Sequence, residues 1–344
     1  MDCARAHCGW NGSCNIGSSV MSKKFISDAL DAVVVPGFSR VGYLLRAQLS
    51  QWSSVSEMNL SGRVVVITGP TSGLGAATAH MLAPTGAQLV LVARNQGKCD
   101  AFAAELHAAI PQCNPVVVIA EMGDLSSVAS ASRQIREQFP RVDVLVHNAG
   151  ALLQERAVSP QGIEQTIASH VLGPHLMTTM LRDVLRAANG RVVTVSSGGM
   201  YSTPLPQIHN GDSLEMPEAE YNGTRQYAIA KRAQVTLNEL WAHKEPNIEF
   251  VAMHPGWADT PGVQESIPLF RTLTKPILRT SQQGADTIAW LAAVRPLPQT
   301  SGTFWSDREV RSVHKTPMTR RADTESARDA LWTWCNDAIQ PFVA

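Results

Sequence analysis

Tyr227 and Lys231 stand four residues apart, and together with the hydroxyl pair Ser196-Ser197 upstream they form a set able to move a proton. A free phenol has a pKa of about 10 and exchanges protons poorly at neutral pH. On a helix, residues four apart project from one face. An ammonium at 231 would then lie beside the phenol at 227, stabilise the tyrosinate and lower its pKa toward the working range. A neighbouring hydroxyl can hydrogen-bond a substrate oxygen as charge develops on it. Ser196 and Ser197 both qualify, closing an apolar run ahead of Gly198-Gly199. Tyr221 is a rival tyrosine with Arg225 four residues on, but arginine does not share a proton as lysine does, and Tyr227 is preferred.

A second set binds rather than reacts. The apolar run 64–67 is followed by Thr68-Gly69-Pro70-Thr71-Ser72-Gly73-Leu74-Gly75 and then by Ala76-Ala77-Thr78-Ala79. That is a strand turning sharply into a helix of small residues. Glycine there permits unusual torsions and close approach of the main chain to a phosphate. The helix N-terminus offers unpaired N–H donors and a positive dipole end to a pyrophosphate. Taken alone, the same turn also fits an ordinary strand-to-helix connection. The next strand ends Leu91-Val92-Ala93-Arg94-Asn95, with arginine where a carboxylate would hold the ribose hydroxyls of NAD. Arg94 can pair with a 2′-phosphate, so NADP(H) is expected over NAD(H).

These residues need a frame to hold them. Apolar runs at 64–67, 89–92, 116–119, 142–146, 192–195 and 250–253 predict strands, and helical stretches fall at 73–83, 97–109, 126–138, 162–188 and 227–243. A helical piece at 282–294 and a strand at Phe304-Trp305 extend the series. Short apolar strands alternating with helices imply an α/β fold, a Rossmann-type doubly wound parallel sheet with helices on both faces.

The order of the motifs, TGxxxGxG, then Ser, then Tyr-x3-Lys, resembles the short-chain dehydrogenase/reductase superfamily. The resemblance implies hydride transfer between a nicotinamide cofactor and a carbonyl or alcohol. It also implies that Ser197 is the active hydroxyl, and that Thr68, Gly69, Ser72, Gly73, Leu74 and Gly75 face the cofactor. By the same resemblance Asp124 and Leu125 stand at the adenine, and Asn148-Ala149-Gly150 forms the turn after the fourth strand, with His147 in place of the usual Asn. Pro255-Gly256-Trp257-Ala258-Asp259-Thr260 matches the stretch where the Ala258 backbone and the Thr260 hydroxyl would fix the nicotinamide amide. His170 occupies a position where the family commonly has an Asn that holds a relay water. A titrating imidazole near pH 6–7 could take part there, or the residue is simply tolerated in its helix. Within the family, Val195 to Met200, the stretch from Met253 to Val263, Gln283 to Thr287 and Asp307-Arg308 are similar to the subgroup of dehydrogenase/reductase SDR family member 12 and its microbial relatives.

The segment 201–226 would border the substrate pocket, with Met200, Tyr201, Leu205, Pro206 and Ile208 on one wall and Trp257, Pro261, Ile267, Leu269 and Phe270 on the other. Such a lining suits a lipophilic substrate. The alternative to an enzyme is a noncatalytic NADP-binding or redox-sensing protein on the same fold.

Of 344 residues, 29 are basic and 29 acidic, a balance that argues against a nucleic-acid partner. The expected partners are a small-molecule carbonyl or alcohol and, as an option, a second copy of the chain. No apolar run reaches the roughly 18 residues of a membrane span. Cys3, Cys8 and Cys14 cluster at the N-terminus while Cys99, Cys113 and Cys335 are scattered. Reduced thiols in the cytoplasm and no metal site are expected, even with His7 beside the first cluster. Residues 1–20 are expected to be a disordered leader ahead of Met21, 21–58 a helical extension, and 59–344 the catalytic domain. Within 25–52, Leu30, Val33, Val34, Val35, Phe38, Val41, Leu44 and Leu45 are apolar, with Arg40 and Arg46 on the polar side. This segment would pack on the body or make peripheral membrane contact, and packing is preferred.

Overall fold

The strands are apolar on both faces, and they lie accordingly in the middle of one sheet in the computed structural model. It describes residues 34–208, 213–260 and 274–343, with Ser27, Gln264 and Thr272. Among them are β1 (Val64–Thr68), β2 (Gln88–Ala93), β3 (Val116–Ile119), β4 (Val144–His147), β5 (Arg191–Val195), β6 (Glu249–Met253), β7 (Thr303–Ser306) and β8 (Glu309–Arg311). Their order is β3-β2-β1-β4-β5-β6-β7-β8. Every neighbouring pair is parallel except β7 with β8, which run antiparallel. β1 pairs with β2 on one side and β4 on the other. The winding reverses there, which opens a crevice beyond the strand C-termini.

Two short helices, α1 (Val34–Phe38) and α2 (Arg40–Ser50), precede the sheet. One face of the sheet is covered by α3 (Gly73–Leu82), α4 (Gln96–Ala109) and α8 (Ser281–Ala293). The other is covered by α5 (Leu125–Gln138), α6 (Gly173–Ala187), α7 (Gly223–Lys244) and α10 (Glu325–Ile339), with the short α9 (Pro317–Ala322) beside it. The chain therefore has the doubly wound α/β architecture expected of it.

Three details differ from the sequence reading. The long helix anticipated at 162–188 is one turn, Gln165–Ile167, then a π-helical segment, Ala168–Leu172, and then α6. β8 and the C-terminal helices were not anticipated. α2 departs in part from the expected polarity: Arg40 is exposed as expected, but Arg46 is 2% exposed, whereas Val41, Leu44 and Leu45 are 58%, 47% and 36% exposed. A buried carboxylate, Asp307, draws the arginine inward at 2.5 Å. Residues 1–20, with Cys3, His7, Cys8 and Cys14, lie outside the described residues, as do Leu30 and Val33. No helix among the described residues is long and apolar enough to cross a membrane.

Candidate active site

The switch point is tied together by side chains. Thr68 at the end of β1 donates its hydroxyl to Val146 O (3.2 Å) and accepts from the amides of Asn148 and Ala149, both at 3.0 Å. Asn148 Nδ2 returns to Thr68 O and Gly69 O, each at 3.0 Å. Gly69 has φ +64°, and a Cβ on it would lie 2.8 Å from Ala149 Cα. Side chains are thus excluded where β1 and β4 meet.

Ser72, at the start of α3, makes no side-chain cap bond. The helices beginning at 96, 125, 223, 281 and 325 are capped by Asn95, Asp124, Asn222, Thr280 and Thr324. Within α3 the Ala76 amide bonds to Ser72 O (3.2 Å), so the amides of Gly73, Leu74 and Gly75 precede the first intrahelical bond. An uncapped first turn at the crevice fits a pyrophosphate, which would take those donors.

Arg94 is 79% exposed at the end of β2, with its NH1 3.5 Å from Glu121 Oε2. The sequence reading missed that carboxylate, which stands just beyond β3. Asp124 accepts from Ser126 N (3.0 Å) and Gln161 Nε2 (2.8 Å), and Leu125 N donates to Gln161 Oε1 (3.3 Å). Its carboxylate is committed to capping α5. The loop from Pro255 follows β6: Ala258 forms an isolated bridge with Arg279, and Thr260 O accepts from Gln264 N (3.0 Å).

Ser197 and Tyr227 border one spot: a Cβ on Gly199 would lie 3.6 Å from Ser197 Oγ and 4.0 Å from Tyr227 Cδ1. Ser197 caps the turn Gly198–Ser202, its Oγ accepting from Gly199 N at 3.2 Å. Ser196 is buried and donates to Lys231 O (3.0 Å), which leaves Ser197 as the serine at the tyrosine. Asn222 starts α7 one turn earlier than anticipated and places Tyr227 and Lys231 on one face. Lys231 Nζ donates to Val195 O (2.9 Å) and lies 5.3 Å from the Tyr227 ring centroid. Tyr221 instead donates to Glu164 (3.0 Å).

Burial corrects one expectation about this pair. It pushes the Tyr227 phenol up to about 12, with the neighbouring Ser197 hydroxyl working against it. It also pushes Lys231 down to about 7. Desolvation of the charged forms outweighs the attraction expected to lower the tyrosine.

His170 is a second correction. Its ring stands edge-on to Tyr227 at 5.4 Å, and its Nε2 donates to Ala151 O at 2.9 Å. Burial, then the Lys231 charge, pushes it down to about 3, so it is neutral and does not titrate near pH 6–7. The π-helical segment carries its carbonyl out of the usual helical ladder, and Gln234 Nε2 takes it at 2.7 Å.

Behind His170 lies a cavity of about 30 Å³ between β4, β5, α6 and α7, bordered by His147, His175, Thr194, Gln234 and Asn238 and by apolar side chains such as Val192, Leu237 and Phe250. His147 Nδ1, His170 Nδ1, Gln234 Oε1 and both amide atoms of Asn238 have no hydrogen-bond partner among the described residues.

The expected pocket wall is partly core. Met200 and Leu205 are fully buried, and the Tyr201 hydroxyl donates to Ser312 O (2.7 Å). Pro206, Ile208 and Trp257 are half-buried, while Pro261, Ile267, Leu269 and Phe270 lie outside the described residues. Among the described residues there is no group of three His, Cys, Asp or Glu able to hold a metal.

A short chain dehydrogenase family model matches residues 63–206. The human dehydrogenase/reductase SDR family member 12 is 37% identical over 83% of this chain and 89% of its own length. Human retinol dehydrogenase 12 is 27% identical over 80% and 86%. Among solved structures, an alcohol dehydrogenase from Thermococcus sibiricus complexed with 5-hydroxy-NADP aligns at TM-score 0.56 and 23% identity, covering 71% of this chain and 95% of that one.

Proposed function

Since the chain belongs to the short-chain dehydrogenase/reductase family, we propose that it interconverts a carbonyl and an alcohol with NADP(H), on a lipophilic substrate. The observation that carries this reading is the convergence of Ser197 and Tyr227 on Gly199, with Lys231 Nζ 5.3 Å from the centre of the Tyr227 ring. Bound nicotinamide supplies or accepts the hydride.

The chain's own residues hold and move the proton. In reduction Tyr227 donates its phenolic proton to the substrate oxygen, and Ser197 hydrogen-bonds that oxygen as charge develops. Lys231 in its charged form stabilises the tyrosinate left behind. The uncapped first turn of α3 takes the pyrophosphate, and Thr68, Gly69 and the Asn148-Ala149-Gly150 turn shape the approach. Arg94 is assigned to the 2′-phosphate, which would have to displace the Glu121 carboxylate 3.5 Å from it. The Ala258 backbone and the Thr260 hydroxyl are assigned to the nicotinamide amide. The half-buried Trp257 and Ile208, and a relative named for retinol, support the lipophilic substrate.

The test is turnover of NADPH and NADH, side by side, on a panel of ketones and aldehydes. Replacing Tyr227→Phe keeps the ring and removes the acid, so turnover should fall by about 10²–10⁴-fold while NADPH still binds. Near-normal kcat in the variant rejects the tyrosine as proton donor. NADPH binding by the unsubstituted protein with no turnover across the panel favours a noncatalytic sensor.

A further inference from the structure

Asp307 and Arg308 form the two-residue turn between β7 and β8, and both have positive φ, 53° and 56°. Glycine and asparagine suit such a turn, so non-glycine residues there need side chains that hold them. Arg308 is held by a two-pronged pair with Asp286, at 2.7 and 2.8 Å. Asp307 takes Arg279 on both oxygens (2.6 and 2.9 Å) and Arg46 at 2.5 Å. All three side chains are exposed by 2% or less.

The remaining donors of Arg279 reach two separate parts of the chain. They bond to Pro255 O (3.1 Å) in the loop after β6, and to Gly37 O (3.1 Å) and Ser39 O (3.2 Å) in the N-terminal segment. Arg46 also donates to Gly37 O, at 3.0 Å. The main chain of Arg279 pairs with Trp257 O (2.7 Å) and Asp259 N (2.9 Å), and Phe38 O accepts from Trp257 N (2.8 Å). Gly256, at φ +74°, has no room for a Cβ, because one would meet Phe38 O at 2.6 Å and the Arg279 guanidinium as well. The Phe38 ring packs 4.3 Å from His254, and a side chain at Gly198 would come within 2.7 Å of it. The segment 37–46 thus touches both the loop at 255–259 and the turn that begins at Ser197.

We propose that residues 37–46 are a positioning element of the cofactor site, in which Arg46 and Arg279, joined through Asp307, fix the 255–260 loop for the nicotinamide half of NADP(H). This rests on the cofactor reading given above. A segment serving only to hold the fold together would change the melting temperature and leave ligand binding untouched. A positioning element separates the two halves of the cofactor, because the adenine half binds at β1, β2 and α3, which the clamp does not touch. Arg46→Leu removes one arm while Asp307 keeps Arg279, so no buried charge is left alone.

Calorimetry on the full chain, below its melting temperature, would measure binding of NADPH and of 2′,5′-ADP, and steady-state kinetics would give kcat and KM. For Arg46→Leu we expect NADPH to weaken or kcat to fall by at least about tenfold, with 2′,5′-ADP within about twofold of the unsubstituted protein. Arg46→Lys, which retains one charge contact, should recover part of the loss. If both ligands bind normally with unchanged kcat, or if both weaken equally, the positioning role is rejected. If Arg46→Leu does not fold, Phe38→Leu, which keeps every charge, takes the same measurements with the same criteria. An unsubstituted protein that binds neither ligand rejects the cofactor reading itself, an outcome separable from any effect of the substitutions.

Discussion

Lys231 and His170 flank the same tyrosine, and burial lowers both ionisations, the lysine to about 7 and the histidine to about 3. The ammonium form of Lys231 is the one that stabilises a tyrosinate, so in the reduction direction kcat/KM should fall as pH rises through about 7. His170 is already neutral across that window. His170→Asn should therefore leave this limb of the pH profile in place, and a profile that flattens between pH 6 and 8 in the variant would reassign the ionisation to the histidine. Reading residue types alone suggested the opposite, since an imidazole is the usual titrating group near neutrality. Sequence names the side chain; only packing shows that His170 is sealed against Gly150, Tyr227 and Ala151.

At the scale of elements, α7 organises the site. Tyr227, Lys231, Gln234 and Asn238 recur at helical spacing, and the stripe runs from the Tyr227–Lys231 pair to the cavity behind His170. The cavity is mostly apolar but carries the unpartnered atoms of His147, His170, Gln234 and Asn238, and its volume of about 30 Å³ exceeds the roughly 10–15 Å³ that one water needs. We predict that it is hydrated and that the Asn238 amide anchors the water. Asn238→Leu should then lower stability by about 1–2 kcal/mol in urea unfolding, with kcat nearly unchanged. A stabilised variant would mean a dry chamber. The strands were legible because five-residue apolar runs have no amphipathic alternative. The Gly-rich turn and the Tyr227–Lys231 pair stand out in the sequence by their spacing, whereas Ser197 was separated from Ser196 only by the family resemblance, because the bond from Ser196 to Lys231 O is a matter of packing. The π-helical segment was not, since Gln165 to Ala187 reads as one apolar helix and the break depends on Gln234, more than sixty residues away. β8 was hidden by its three-residue length and a turn, Asp307-Arg308, that lacks the usual Asn-Gly. α2 was misread because Arg46 looks like a surface residue until Asp307 is placed beside it.

At the scale of the whole molecule, four histidines among the described residues are buried and neutral: His147, His170 and His254 are pushed down to about 3 and His175 to about 4. Unfolded, each would bind a proton below its ordinary value of 6.5. A group with a depressed folded pKa stabilises fully above the unfolded value and loses that contribution as pH falls toward the folded one. Each should cost roughly 1.4 kcal/mol per pH unit below 6.5, and together they should make the protein labile to mild acid. Urea midpoints at pH 7, 6 and 5 check this; midpoints that do not move would mean that the histidines are protonated in the folded state. The clamp on the cofactor loop has a further consequence, in time rather than in space. Arg46 and its carboxylate are 261 residues apart, so during synthesis at ordinary speeds the first arm waits tens of seconds for the second. Loading with cofactor thus becomes a late event in the life of each new chain, and a polypeptide that stops short of Asp307 should be recognisable by its failure to hold NADPH.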